Sequence, residues 1–190
     1  DEMEESIRQI EVFSKGSIQA MVDELVAVRE RSGRLFLIGL GGSAANCSHA
    51  AADFRTLCGI EAYAFDNMAN FSALANDGDW DAVFIKWLKM SRLNENDLLY
   101  VMSVGGGTAE LSPGLKRAMD WATTGFTPVI GVAGRDGGAL AHFAKACVIV
   151  PEPADKSLIT PITESMQAVI FHLLVSHPSL KLHKTAWEDK

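Results

Sequence analysis

Four side chains in this sequence have the types and spacing for proton or metal chemistry. His49 and Asp53 lie four residues apart in "NCSHAAADF", so on a helix they share one face. Glu164 and His172 lie eight apart in "ESMQAVIFH", just over two turns, and they share a face as well. If the two helices meet, they form a His/Asp/Glu/His cluster. Two imidazoles and two carboxylates suit zinc or a similar divalent ion. The same groups suit proton transfer at a carbon next to a carbonyl. Each residue also has an ordinary structural explanation. A lone His in an apolar helix is commonly a satisfied core residue, Asp53 has Arg55 nearby as a cation, and Glu164 suits the first turn of a helix.

Two glycine-rich stretches could hold an anion. "GLGGSAA" follows the apolar run "RLFLI" and spells G-x-G-x-x-A with Gly39, Gly41 and Ala44. Gly41, Gly42 and Ser43 at a helix start would offer backbone N–H groups and a hydroxyl. From this loop alone three readings stay open: a dinucleotide site with Asp66 as the ribose acid, a sugar-phosphate site, and a turn that needs glycine for geometry only. "MSVGGGTAE" adds Ser103, Gly105, Gly106 and Thr108 as a second cradle, or else a flexible connection. A dinucleotide fold has no particular need of a second such loop, which shifts the balance toward sugar phosphate and leaves no nucleotide cofactor expected. Ser112-Pro113 reads as N-cap and first helical residue, so the next helix starts there and not at Thr108. Asn76-Asp77 reads equally as a plain turn or a substrate contact.

These groups must be positioned by alternating strands and helices. Apolar runs predict strands at Arg34–Gly39, Glu61–Phe65, Asp97–Met102, Thr127–Val132 and Ala146–Val150. Helical spacing predicts a long first helix over residues 3–31, then Ser43–Leu57, Met68–Asn76, Trp80–Met90, Pro113–Thr123, Gly138–Lys145 and Thr160–Ser176. "LFLIG", "LLYVM" and "PVIGV" are continuously apolar, as strands buried on both faces are. The expected fold is therefore α/β, a three-layer αβα sandwich around a doubly wound, five-stranded parallel sheet. Both glycine-rich stretches, and "GRDGG" at Gly134–Gly138, then fall at C-terminal strand ends, where such sheets bind ligands.

The 190 residues, 48% hydrophobic and 22% charged, fit one domain with a sizeable core. A net charge of -7 argues against broad nucleic-acid binding but leaves room for one anion held by local N–H groups. Three widely spaced cysteines without C-x-x-C read as free thiols in a reducing cytoplasm. No secretory signal and no bilayer-spanning apolar run is expected. The sequence begins at Asp1 rather than Met, so preceding residues are expected.

"GLGGSAANCSHAAADF" resembles the "GNGGSA…H…E" segment of the phosphoheptose isomerases, within the sugar isomerase (SIS) domain group. "FDNMANFSALANDGDW" is similar to the stretch after their second strand. "MSVGGGTAE" stands at their Ser/Thr-rich phosphate loop, "GRDGG" matches "GKDGG", and "ESMQAVIFH" is similar to their last helix. The resemblance implies a homotetramer with active sites between subunits and conversion of sedoheptulose 7-phosphate to heptose 7-phosphate. It implies zinc on His49, Asp53, Glu164 and His172, an acid/base pair of Asp53 and His172, and phosphate contacts from Ser43, Ser103 and Thr108. Several positions depart from the family pattern. Leu40 replaces Asn, Asp53 is one methylene shorter than Glu, Gly105 and Gly107 replace Ser and Asn, Glu164 replaces Gln, and Gln167 replaces His. The competing expectation is a non-catalytic SIS protein that binds a phosphosugar or serves as a protein-interaction scaffold.

Overall fold

The computed structural model describes residue 5 and residues 15–188. The chain runs α1 (Lys15–Glu30), β1 (Arg34–Ile38), α2 (Gly42–Cys58), β2 (Glu61–Ala64), α3 (Met68–Asn76), a 3-10 turn (Trp80–Ala82) and α4 (Val83–Met90). It continues through β3 (Leu98–Ser103), α5 (Pro113–Thr124), β4 (Val129–Ala133), α6 (Gly138–Phe143) and β5 (Ala146–Ile149). A second 3-10 turn (Lys156–Leu158) then leads into α7 (Ile159–Val175). The five strands pair in parallel in the order β2-β1-β3-β4-β5.

Apolar residues on both faces of the sheet build two cores. One lies under α1, α2 and α7 and holds Met21, Leu25, Phe54, Ile170 and Phe171. The other lies under α4, α5 and α6 and holds Phe84, Leu88, Leu115, Met119 and Leu140. β3 and β4 are buried at every residue, which is why their runs are apolar without alternation. The expected sandwich is the observed one.

Three expectations change in detail. The first helix is seen from Lys15 and ends at Glu30; apart from Glu5, its expected stretch 3–14 lies outside the described residues. The expected helix Trp80–Met90 is split, because the Asp79 side chain accepts from Asp81 N–H at 3.1 Å and tightens the first turn to 3-10 geometry. The span Lys156–Val175, with mean hydropathy 1.4, is long and apolar enough by composition to cross a membrane, contrary to expectation. Its apolarity has a local cause: Ile162, Met166, Ile170, Phe171 and Leu174 pack into the first core.

The end of the sheet away from the loops is fastened by one ion pair. Asp97 is buried, and its Oδ2 lies 2.8 Å from the Arg34 guanidinium. Asp97 also accepts from the Arg34 backbone N–H at 3.0 Å and from Asn94 N–H and Nδ2 at 3.0 Å each. The Arg34 guanidinium, held by this carboxylate, keeps its proton above the usual arginine range.

Cys47, Cys58 and Cys147 are free thiols. Burial pushes Cys58 up to about 11 and Cys147 up to about 12, and pushes Cys47 higher still. Thiolate is the reactive species. A thiol-labelling reagent at pH 8 should therefore modify none of the three quickly in the native protein and all three in denaturant. Rapid native labelling would contradict this packing.

Candidate active site

Chain direction creates the crevice. β1 passes through α2 to β2 on one side, and β3 passes through α5 to β4 on the other, so the segments leaving β1 and β3 diverge beyond the strand ends.

The first loop closes on Gly41, whose φ of 59° is the left-handed conformation that glycine adopts without strain. Its carbonyl accepts from Ala44 and Ala45 N–H at 3.1 and 3.3 Å and opens α2. Ser43 is buried behind it. At Gly42 a side chain would collide with the Glu164 carboxylate, so Glu164 lies against the first turn of α2. An acid at a helix N-terminus is stabilised by the helix dipole.

The second loop departs from β3 at Ser103, which is buried. The Gly106 and Gly107 carbonyls accept from Leu140 and Ala139 N–H at 2.8 and 3.1 Å. Gly106, at φ 66°, lies so close to the Gly137 carbonyl that a Cβ would collide with it. Gly106 is thus explained by packing against the start of α6, and Gly107, at φ 74°, lies against Leu115, Lys116 and Met119 of α5. Gly105 is different: nothing lies within 4 Å of where its Cβ would be. The Thr108 hydroxyl accepts from Leu111 N–H at 3.0 Å, inside its own turn. α5 starts at Pro113, as expected, so no helix stands directly behind Thr108. Asn76 Nδ2 donates to Asp77 Oδ1 at 2.8 Å and Asp77 ends α3, which is turn chemistry on an exposed surface.

α2 and α7 pack side by side and run in the same direction. Gly42 meets Glu164, and Asn46 Nδ2 donates to the Glu164 carbonyl at 2.9 Å and to Gln167 Oε1 at 3.2 Å. Further along, the His49 ring sits 5.0 Å from Phe171 and 5.1 Å from His172. Asp53 Oδ2 then lies 3.5 Å from His49 Nε2 and 3.7 Å from His172 Nε2. Asp53 is 22% exposed, while His49 and His172 are 56% and 50% exposed. The carboxylate is therefore sheltered between two accessible imidazoles.

Of the four residues expected to cluster, the structure brings three together. One ligand atom from each of His49, Asp53 and His172 lies within 4.8 Å of the others. Glu164 is not among them. Eight residues along α7 are a rise of about 12 Å, and in parallel helices that rise carries Glu164 to the loop end. Two imidazole nitrogens and one carboxylate oxygen, open on one side, fit a catalytic-type divalent site with a free position.

The SIS domain family profile matches residues 1–124. This chain belongs to the SIS domain family. Among the relatives of this SIS domain, phosphoheptose isomerase from Mycobacterium bovis is 31% identical over 166 residues, covering 84% of this chain and 79% of the relative. Phosphoheptose isomerase from Helicobacter pylori is 25% identical over 178 residues, covering 90% and 85%. The structure of phosphoheptose isomerase from Neisseria gonorrhoeae superposes with a TM-score of 0.79 at 24% identity, over 92% of this chain and 91% of that one.

The sequence reading of this SIS domain overlooked Asn46, which ties α2 to α7. Gln167 stands out in the sequence as a polar residue of the last helix, at a position where the family pattern has His. Gln167 is fully buried between the two helices, and its Nε2 finds no hydrogen-bond partner among the described residues. A polar residue in the middle of the apolar run "MQAVIF" was the available signal.

Proposed function

We propose that this SIS domain is an aldose–ketose isomerase of phosphosugars, interconverting sedoheptulose 7-phosphate and heptose 7-phosphate. The observation that carries the reading is the Asp53 carboxylate set between His49 and His172 at 3.5 and 3.7 Å. The reaction moves one proton between adjacent carbons and needs no external oxidant. Asp53 takes the proton from C1 of the ketose, and the C–H electron pair becomes the C1=C2 bond while His172 protonates O2, giving an enediol. Asp53 then returns its proton to C2, His172 recovers the proton from O1, and the C1 carbonyl forms. A divalent ion on His49, Asp53 and His172 would polarise the two oxygens.

The phosphate end is assigned to the backbone of Gly41, Gly42, Gly105 and Gly106 and to Ser43, Ser103 and Thr108. Glu164, beside Gly42, faces the sugar hydroxyls in this reading rather than the ion. The setting is a cytoplasmic homotetramer with sites between subunits, without nucleic-acid or membrane partners. Val169 and Leu173, four residues apart on α7 and 45% and 52% exposed beside His172, offer an apolar face for a second subunit. The Glu164 carboxylate at the anion end favours a second reading, a scaffold without turnover.

Turnover of sedoheptulose 7-phosphate by purified protein, with and without added zinc, separates them. Aldose product supports the isomerase. Its absence from a zinc-loaded, correctly assembled protein overturns that reading in favour of the scaffold.

A further inference from the structure

From Gly42 to Ala52, α2 carries only Gly, Ser, Ala and Cys apart from Asn46 and His49. Helices lock together by ridges of side chains set in grooves. A run this small gives α7 little to catch on along the axis. The apolar residues of α7, among them Met166, Ile170, Phe171 and Leu174, are buried in the first core. Apolar burial is non-directional, so it holds α7 against α2 without fixing its height. Yet the Asp53–His172 contact at 3.7 Å depends on that height.

Directional contacts are supplied by one pair of amides. Asn46 Nδ2 donates to the Glu164 carbonyl at 2.9 Å and to Gln167 Oε1 at 3.2 Å. At the far end of the two helices Cys58 Sγ meets the Val175 carbonyl at 3.6 Å, and a thiol is a weak donor. Asn46 precedes His49 by three positions and Asp53 by seven, so the three share one face of α2. Gln167 precedes Phe171 by four, and the Phe171 ring sits 5.0 Å from His49. Gln167 is a poor choice for packing alone. It is fully buried, and its Nε2 has no partner among the described residues. An apolar side chain of the same length would fill the space without that penalty. Its oxygen, which Asn46 engages, is what an apolar side chain could not replace.

We propose that Asn46 and Gln167 are positioning residues, which fix α7 along α2 and so set the His172 imidazole against the Asp53 carboxylate. A buried polar group that fixes the register of packed helices is a recognised use of such residues. Neither amide is hydrogen-bonded to His172 or Asp53 among the described residues. Gln167 stands five positions before His172, a rise of about 7.5 Å, and acts through the backbone of α7. Without the pair, α7 settles where its apolar side chains pack best. A shift of about 1 Å is enough to slow a reaction about 10²-fold. The placement is independent of the reaction, and its consequence for turnover rests on the isomerase reading.

Crystal structures of the wild type and of an Asn46→Ala, Gln167→Met double variant test this. Methionine keeps the length of glutamine and alanine continues the small-residue run, so the urea midpoint should change little. α7 should move along α2 by about 1 Å or more and open the Asp53–His172 contact. Met166→Leu, a change of neighbouring packing that spares the amides, should leave that contact in place. In the double variant, kcat for sedoheptulose 7-phosphate should fall about ten-fold or more. KM should change less, because the phosphate contacts lie on other elements. If α7 and the contact stay as in the wild type, or if Met166→Leu displaces them as far, the positioning role is overturned. A wild type without turnover, or an opened contact with kcat unchanged, strikes the isomerase reading and leaves the placement standing.

Discussion

Asp53→Asn should lower turnover of sedoheptulose 7-phosphate by about 10²- to 10⁴-fold, the range for loss of a positioned general base. The substitution keeps the shape and a hydrogen-bonding oxygen, but an amide cannot accept the proton from C1. Folding should be unaffected, because Asp53 is partly exposed and its two contacts are with imidazoles about half in solvent. KM should change little, since no phosphate contact is touched. His172→Gln should cost a similar factor, and the double variant little more, because residues that act as a unit do not add. Steady-state kinetics with circular dichroism as the folding control decides this. An Asp53→Asn enzyme with more than about a tenth of wild-type kcat would remove Asp53 as the base.

The second large effect lies at the other end of the sheet. Asp97→Ala should reduce stability by about 3 kcal/mol, the lower part of the range for breaking a buried ion pair. The lower part applies because the Arg34 side chain is 26% exposed and keeps its bonds to the Ser91 and Arg92 carbonyls. What is lost is the acceptor for Arg34 N–H, for the guanidinium and for both Asn94 donors. Urea unfolding followed by fluorescence should show a lower midpoint with the slope unchanged. A shift below about 1 kcal/mol would mean that the pair behaves like a surface salt bridge. Catalytic constants, measured well below the midpoint, should stay as in the wild type.

The layers of the fold were legible in the sequence because its strands are buried on both faces. "LLYVM" and "PVIGV" cannot be amphipathic helices, and the structure places them in β3 and β4. The boundaries moved where a side chain intervened, as Asp79 does ahead of α4. The His49–Asp53 pair was legible because i, i+4 spacing fixes both face and level. Glu164 and His172 were not fully so, since a spacing of eight fixes a face but spreads the two residues over about 12 Å. Which of them joins Asp53 depends on how α7 is set along α2, a tertiary matter with no local signature. The glycines of "SVGGGT" suggested a ligand cradle, whereas Gly106 is required by the Gly137 carbonyl, a contact that only the folded chain reveals.

The parallel course of α2 and α7 has an electrostatic consequence. Both helices begin near the loop edge of the sheet, and each carries roughly half a positive charge at its N-terminus. The molecule as a whole is acidic, at -7, and repels an anion at long range. At the loop edge the two positive helix ends offset part of that repulsion, and the Glu164 carboxylate against Gly42 already takes up part of the α2 end.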